Sequence, residues 1–368
     1  MTRSRRRSGA TWLALGYLLL VAYASLYPFS PWGWPERLTL TEAWQLDWPR
    51  YWSRFDVWAN ALGYVPLGSL VFVAAWRSGL RGWQAALMAV LLPCLLAYGL
   101  ELAQRFVALR VPSLADWLLN SGGAVLGALL AALAARLGWL DRWGRWRERW
   151  FHPNSAGALA LLAIWPLGLV FPLPAPLAQG QFLPPLLDTL NRWLLEAGWI
   201  EQAMRWAGPS SALEARLATG LGLLAPCLLL LAVVRPGWGR LPLLLSVAVV
   251  GLGMSALATA LGFGPANAWA WLTAGTAQAI AGAMVVAALL ALLPSRVSAV
   301  LSLPVLTGLM LLVTRMDTDP FVALNLQRWE LGPRVQLYGL LQWLGWLWPL
   351  LALGWLMAGL ARGERQRS

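Results

Sequence analysis

The chain has 368 residues, 59% hydrophobic and 12% charged, with a mean hydropathy of +0.60. A soluble protein of this length carries about 25% charged residues, and apolar runs near the ~20 residues that cross a bilayer recur along the whole length, which excludes a soluble globular fold. Transmembrane β-barrels alternate polar and apolar residues; these runs do not, so the expected class is all-α, a polytopic helical membrane protein.

The net charge is +12, and all 28 basic residues are Arg. Their clusters lie in short segments between apolar runs, as topology signals do, so no nucleic-acid partner is expected. Cys94 and Cys227 sit inside apolar runs and read as small core residues. His152 is the single histidine and reads as an interfacial residue beside Arg149 and Trp150. One histidine leaves no His-rich metal site and only one possible base for a Ser-His-Asp triad.

In chain order, about ten transmembrane spans are expected near 12–29, 56–76, 83–103, 114–135, 156–173, 213–234, 241–262, 269–293, 297–314 and 337–360. Pro28, Pro35, Pro49, Pro112, Pro153, Pro236 and Pro294 punctuate the boundaries. Met1 to Arg7 is basic and leads into the first apolar run, which reads as an uncleaved span. With the N-terminus inside, 17 of the 28 arginines fall on the inner side, against three of the 16 acids, Asp141, Glu148 and Glu364. That is the split positive-inside insertion produces, and an even number of spans then places both termini in the cytoplasm.

Three outer connections are long. Ser30–Phe55 is rich in Trp. Pro174–Ala212 contains Asp188–Trp206, whose Leu190, Trp193, Leu194, Ala197 and Met204 suggest an amphipathic helix lying on the membrane. Thr314–Arg334 carries Asp317, Asp319, Arg328 and Glu330. The 26 Trp suit an interfacial belt. Residues 10–138 form an expected four-helix membrane module, 139–155 a basic Trp/Arg cytoplasmic linker suited to an anionic leaflet, and 156–360 a second six-helix module.

One polar pattern occurs twice. Asp56, Asn60 and Gly63 are echoed by Asp116, Asn120 and Gly123, each set on one helical face. Charge beside hydrocarbon is costly, so such residues point to function. Four segments converge at the outer edge of the first module: Tyr27–Pro28–Phe29; the span head at Asp56; Glu101, Gln104 and Arg105; and Arg110, Pro112 and Ser113 ahead of Asp116. Glu101 and Arg105 are spaced for an ion pair. Asp56 and Asp116 stand at helix N-termini, where the macrodipole favours a carboxylate. Gly123 and Gly127, facing Asn60, Tyr64 and Gly68, make a small-residue seam for close packing.

Three readings of this cluster stand side by side. It orients a head group, with Arg105 and Arg110 as bidentate donors to phosphate or carboxylate. It does acid–base or Mg²⁺ chemistry through Asp56, Glu101 and Asp116. Or it pins four helices through caps, ion pairs and amide bonds. The expected ligand-binding set is Asp56, Asn60, Glu101, Gln104, Arg105, Arg110, Ser113, Asp116 and Asn120. No cofactor, resident metal or catalytic residue is assigned.

The elements Tyr27–Pro28–Phe29, Asp56-x3-Asn60-x3-Tyr64-x-Pro66-x-Gly68, Glu101-x2-Gln104-x-Phe106 and Arg110-x2-Ser113-x2-Asp116-x3-Asn120-x2-Gly123-x3-Gly127 together resemble the VanZ-like membrane protein family. The resemblance covers about residues 10–138. It departs mildly at Tyr64, where the family commonly has an aromatic such as Phe. It implies a bacterial cytoplasmic (inner) membrane protein linked to lowered susceptibility to teicoplanin, a lipid-tailed glycopeptide antibiotic, and it carries over no catalytic residues. The expected function is thus non-enzymatic: membrane lipids surround the protein, and a lipid-linked saccharide or lipoglycopeptide head group binds at the outer leaflet. The alternative is a membrane enzyme or a flippase handling polyprenyl-phosphate- or polysaccharide-linked lipids. For the flippase, the two Asp/Asn spans run in the same direction and give parallel repeats.

The orientation is testable with a phosphatase reporter that is active only outside the cytoplasm. Fusions within Ser30–Phe55 are expected to be active and fusions within Leu137–Asn154 inactive; the opposite pattern would invert the topology.

Overall fold

A computed structural model describes residues 9–27, 29, 32–34, 39, 41–49, 51, 54–107, 110–171, 173–182, 211–316 and 335–365. Among these the protein is all-α, with isolated bridges at Trp32/Val107 and Phe151/Val234 as its β pairing. The helices are α1 (Gly9–Leu26), α2 (Arg54–Arg77), α3 (Gly82–Gln104), α4 (Leu114–Arg136), α5 (Trp139–Trp150), α6 (Ala156–Gly168), α7 (Ala212–Val233), α8 (Arg240–Phe263), α9 (Ala274–Leu290), α10 (Ser295–Arg315) and α11 (Val335–Arg365). The amphipathic segment expected at 188–206 and the acidic segment from Asp317 to Glu330 lie outside the described residues.

Among the described residues eight helices are long and apolar enough to cross a membrane: α1 to α4, α7, α8, α10 and α11. The protein is therefore a multi-pass membrane protein. At two of the ten expected spans the helices are shorter, 13 residues for α6 and 17 for α9. Thirteen residues rise only about 20 Å, less than the ~30 Å hydrocarbon core. Prolines stand beyond both ends. Pro174 and Pro176 follow α6, and Pro294 follows α9; each lacks the amide N–H that a continuing helix needs. Between Leu169 and Phe182 the described residues are not helical, yet Leu169, Val170, Phe171, Ala175, Leu177 and Ala178 are buried. Irregular backbone among apolar residues is tolerated where protein, not lipid, surrounds it. Gln179 helps by donating from Nε2 to the Trp165 carbonyl at 2.8 Å.

The chain divides into two compact units, Met1–Arg147 and Glu148–Ser368, the divide falling within α5. In the first, α2 and α4 pack backbone to backbone. A Cβ on Gly68 would overlap the Ala124 carbonyl, one on Gly123 the Ala61 carbonyl, and one on Gly127 the Val65 carbonyl. The seam is reinforced by Ser69, whose hydroxyl donates to the Gly127 carbonyl at 2.9 Å, and α1 joins through Tyr17 OH to the Gly63 carbonyl at 2.9 Å. The interior is built largely from small residues, among them Ala85, Ala89, Ala97, Ala124, Ala128 and Ala131. Large side chains such as Leu95, Leu129 and Leu133 point outward. This is packing for a lipid solvent, where apolar side chains gain little by turning inward and backbone proximity supplies the contact.

In the second unit α7 is the buried centre, packed by α6, α8, α9 and α10. Arg240, the first residue of α8, is fully buried. Its Nη1 donates to the carbonyls of Ala291 (2.9 Å) and Leu293 (2.6 Å), and its Nη2 to those of Leu231 (3.2 Å) and Val234 (2.9 Å) and to Ser295 Oγ (2.6 Å). The guanidinium thus sits where α7 and α9 end and α10 begins, against carbonyls at the negative ends of two helix dipoles. His152 is tied to the same knot. Its backbone N–H donates to the Val233 carbonyl at 2.8 Å, and its Nε2 meets Ser295 Oγ at 3.0 Å.

The glycine seam predicts a contrast between neighbours. Gly122 has open space where a Cβ would stand, so Gly122→Ala is expected to be neutral or slightly stabilising. Gly123→Ala, which overlaps backbone, is expected to cost roughly 1–3 kcal/mol. Thermal unfolding of the two variants in detergent checks this; equal midpoints would contradict the seam.

Candidate functional site

Described residues of the connection between α1 and α2 bond to residues at and near the α3–α4 turn. Gly33 N donates to the Phe106 carbonyl at 2.9 Å, and Trp34 lies 5.2 Å from the Phe106 ring. Leu114 N donates to the Asp47 carbonyl at 2.9 Å, and Tyr98 OH to the Trp44 carbonyl at 2.5 Å. These bonds hold one end of the first unit together, and the polar residues gather there.

Arg110 reaches from the α3–α4 turn to the end of α1. Its Nε donates to the Tyr27 carbonyl and its Nη2 to the Ala24 carbonyl, both at 2.9 Å. Gln104 Nε2 donates to the Ser25 carbonyl at 3.1 Å. The last carbonyls of a helix have no intrahelical partner, and these two side chains supply them. Burial pushes the Arg110 guanidinium below its ordinary value, and the Glu101 charge pushes it back up.

A second chain of bonds crosses three helices. Glu101, buried near the end of α3, accepts from Ser113 N at 3.0 Å. Ser113 is the N-cap of α4, its Oγ accepting from Asp116 N at 3.3 Å. Asp116 Oδ1 in turn accepts from Asn60 Nδ2 on α2 at 2.8 Å. The glycine seam makes this last bond possible by bringing α2 against α4.

One turn deeper the polar groups are not all paired. Asn120 follows Asp116 on α4 and Tyr64 follows Asn60 on α2, each 4% exposed. Asn120 Oδ1 and the Tyr64 hydroxyl are buried without a hydrogen-bond partner among the described residues. Such orphaned atoms are rare in native interiors and call for an explanation. Asp56, in the first turn of α2, is exposed and within electrostatic reach of Asp116.

The nine residues anticipated from the sequence therefore do not act alike. Asn60, Glu101, Ser113 and Asp116 form one connected network. Gln104 and Arg110 close the end of α1. The ion pair expected between Glu101 and Arg105 is absent, because Arg105 caps α3 and turns away. It donates to the Gln45 carbonyl and stands 3.7 Å from Asp47, while Glu101 faces the start of α4. Nor are the two arginines free anion clamps, since backbone carbonyls hold both. The Mg²⁺ reading of Asp56, Glu101 and Asp116 also meets a different arrangement: among the described residues no three His, Cys, Asp or Glu side chains are grouped to hold a metal ion. Glu101 is buried on an amide and Asp56 is exposed at the rim.

Sequence reasoning missed three participants. Asp47 and Gln45 come from a connection with no periodicity to reveal them. Tyr64 was visible at four residues from Asn60, but its spacing read as packing, and only burial shows its hydroxyl to be unpartnered.

Residues 14–135 match the VanZ/LLP1 family model, so this N-terminal segment is a VanZ-like membrane module. No curated protein and no solved structure matches the chain.

The Glu101–Ser113 bond needs an acceptor oxygen, not a charge. Glu101→Gln is expected to keep the fold near wild-type stability. Glu101→Ala leaves a buried amide unsatisfied and is expected to lose roughly 1–3 kcal/mol. Unfolding midpoints of the detergent-purified variants decide the point, and an equal loss in both would mean that the carboxylate charge itself is required.

Proposed function

We propose that the VanZ-like module is a non-enzymatic receptor for the head group of a lipid-linked saccharide or lipoglycopeptide at the outer leaflet of a bacterial cytoplasmic membrane. The observation that carries this is the pair of buried, unpartnered polar atoms, Asn120 Oδ1 and Tyr64 OH, just beneath the Asn60–Asp116 bond. An acceptor and a hydroxyl without partners suit a ligand rich in hydroxyl, amide or amine groups. Burial raises the value of each such bond, because an unmade one is costly there.

The roles divide accordingly. Asn120, Tyr64, Asp116 and Asn60 meet the ligand, with Asp56 at the rim. Glu101 and Ser113 fix the start of α4. Gln104, Arg105 and Arg110 are positioning residues that hold α1 and the loop in place. The paired arginines shift the ligand chemistry away from a bare phosphate and toward a sugar or glycopeptide, and teicoplanin, with its lipid tail, has both the polar head and the membrane anchor. In this reading both termini are cytoplasmic, and α6 and α9 complete ten crossings together with their flanking apolar residues.

The test is thermal stability of the detergent-purified full chain with teicoplanin, a polyprenyl-phosphate or phosphatidylglycerol. Teicoplanin is expected to raise the wild-type midpoint, since a ligand at ~100 times its Kd contributes about 2.7 kcal/mol. Tyr64→Phe, which removes only the hydroxyl, is expected to weaken binding about tenfold, and Asp116→Asn to weaken it further. If no ligand shifts the wild type while Asp116→Asn alone is destabilised, the cluster pins helices and binds nothing.

A further inference from the structure

A second polar site lies in the other unit, outside the VanZ-like module. A cavity of about 470 Å³ has His152, Ser295 and Arg296 on its polar wall, and Ala299, Trp355 and Leu356 on its apolar wall. Among the described residues no carboxylate lines it.

The protonation pattern of the polar wall follows from its bonds. Ser295 Oγ has one hydrogen and two lone pairs. The hydrogen goes to the Val234 carbonyl at 2.9 Å, and one lone pair accepts from Arg240 Nη2 at 2.6 Å. The remaining lone pair requires His152 Nε2 to be the donor in its 3.0 Å contact. Burial, with the charges of Arg235 and Arg240, holds His152 below the ordinary imidazole value, so at neutral pH it is an uncharged Nε2–H tautomer. Arg240 commits both terminal nitrogens to carbonyls and Ser295, and its Nε, without a partner among the described residues, is buried. Arg296 differs. It is exposed at the cavity, with no hydrogen-bond or ion-pair partner among the described residues.

The wall therefore presents an exposed guanidinium in a field made positive by Arg235 and Arg240, beside an apolar face. A free anion accounts for the charge but not for the apolar face, whereas an anionic amphiphile accounts for both. Arginine is the side chain best matched to a phosphate through paired N–H donors, and the bilayer itself supplies anionic phospholipid. We propose that this cavity is a binding site for an anionic phospholipid, its phosphate on Arg296 and an acyl chain along Ala299, Trp355 and Leu356.

The experiment is a lipid titration of the detergent-purified full chain, read as the unfolding midpoint. The probes are phosphatidylglycerol, a phosphatidylcholine with the same acyl chains, and glycerol 3-phosphate. Phosphatidylglycerol is expected to stabilise the wild type at lower concentration than phosphatidylcholine does, and glycerol 3-phosphate is expected not to reproduce the shift. Arg296→Gln is expected to need about tenfold more phosphatidylglycerol, and Arg296→Lys to recover part of that loss. Arg77→Gln removes an equally exposed charge from the other unit and is expected to leave the titration unchanged. A wild-type response in Arg296→Gln overturns the proposal. So does an equal loss in Arg77→Gln, which would show bulk charge attraction, or an equal shift with glycerol 3-phosphate, which would make the site one for free phosphate. If Arg296→Gln does not fold, the decision passes to Arg296→Lys. A lysine variant with wild-type half-saturation then overturns the bidentate contact, and a weakened one upholds it.

Discussion

Where Gly123 crosses Ala61 and Gly127 crosses Val65, α2 and α4 come so near that no Cβ fits between a helix and its neighbour's carbonyl oxygens. Lipid chains are as apolar as leucine, so burying leucine does not hold such helices together; contact between backbones does. The same approach sets the polar end of the unit. Asn60 reaches Asp116 because the seam fixes the register of α2 on α4, and Asp116 is presented because Ser113 caps α4 and Glu101 holds Ser113. Tyr64 and Asn120 are left facing inward one turn below, and their unused polar atoms are a consequence of that register.

Both units meet another constraint in the same way. A helix that ends within or beside hydrocarbon leaves carbonyls that water cannot complete. In the first unit Arg110 and Gln104 supply donors to the end of α1. In the second, Arg240 supplies them to the ends of α7 and α9 while Ser295 binds it from the start of α10. A fork of donors serves several carbonyls at once, and the helix dipoles compensate the positive charge. A carboxylate partner is not needed, which is why buried arginine here does not mark an anion site. Arg296 stands apart because its guanidinium has no such employment.

Arg105 and Arg110 read from the sequence as arms for a ligand, yet backbone carbonyls hold both. Linear spacing shows which residues share a helix face, as it did for Asp56 with Asn60 and Asp116 with Asn120. It does not show whether a terminal side chain turns along its own helix or out to a loop. The i,i+4 pairing of Glu101 and Arg105 failed for that reason: α3 ends at Gln104, and Arg105 belongs to the turn.

By itself the sequence determined the all-α multi-pass class, because hydrocarbon leaves helices as the way to satisfy backbone groups in runs that do not alternate. It also determined the VanZ-like segment, whose polar and glycine residues stand out against an apolar background, and the small-residue seam, whose four-residue period is the helix's own. Tertiary structure alone decided which polar groups meet, that α6 and α9 stop short, and that Tyr64 OH and Asn120 Oδ1 lack partners among the described residues. Those outcomes depend on how far apart helices from distant parts of the chain come to rest, and side-chain hydrogen bonds, which vanish over an ångström or so, have no signature in spacing along the chain.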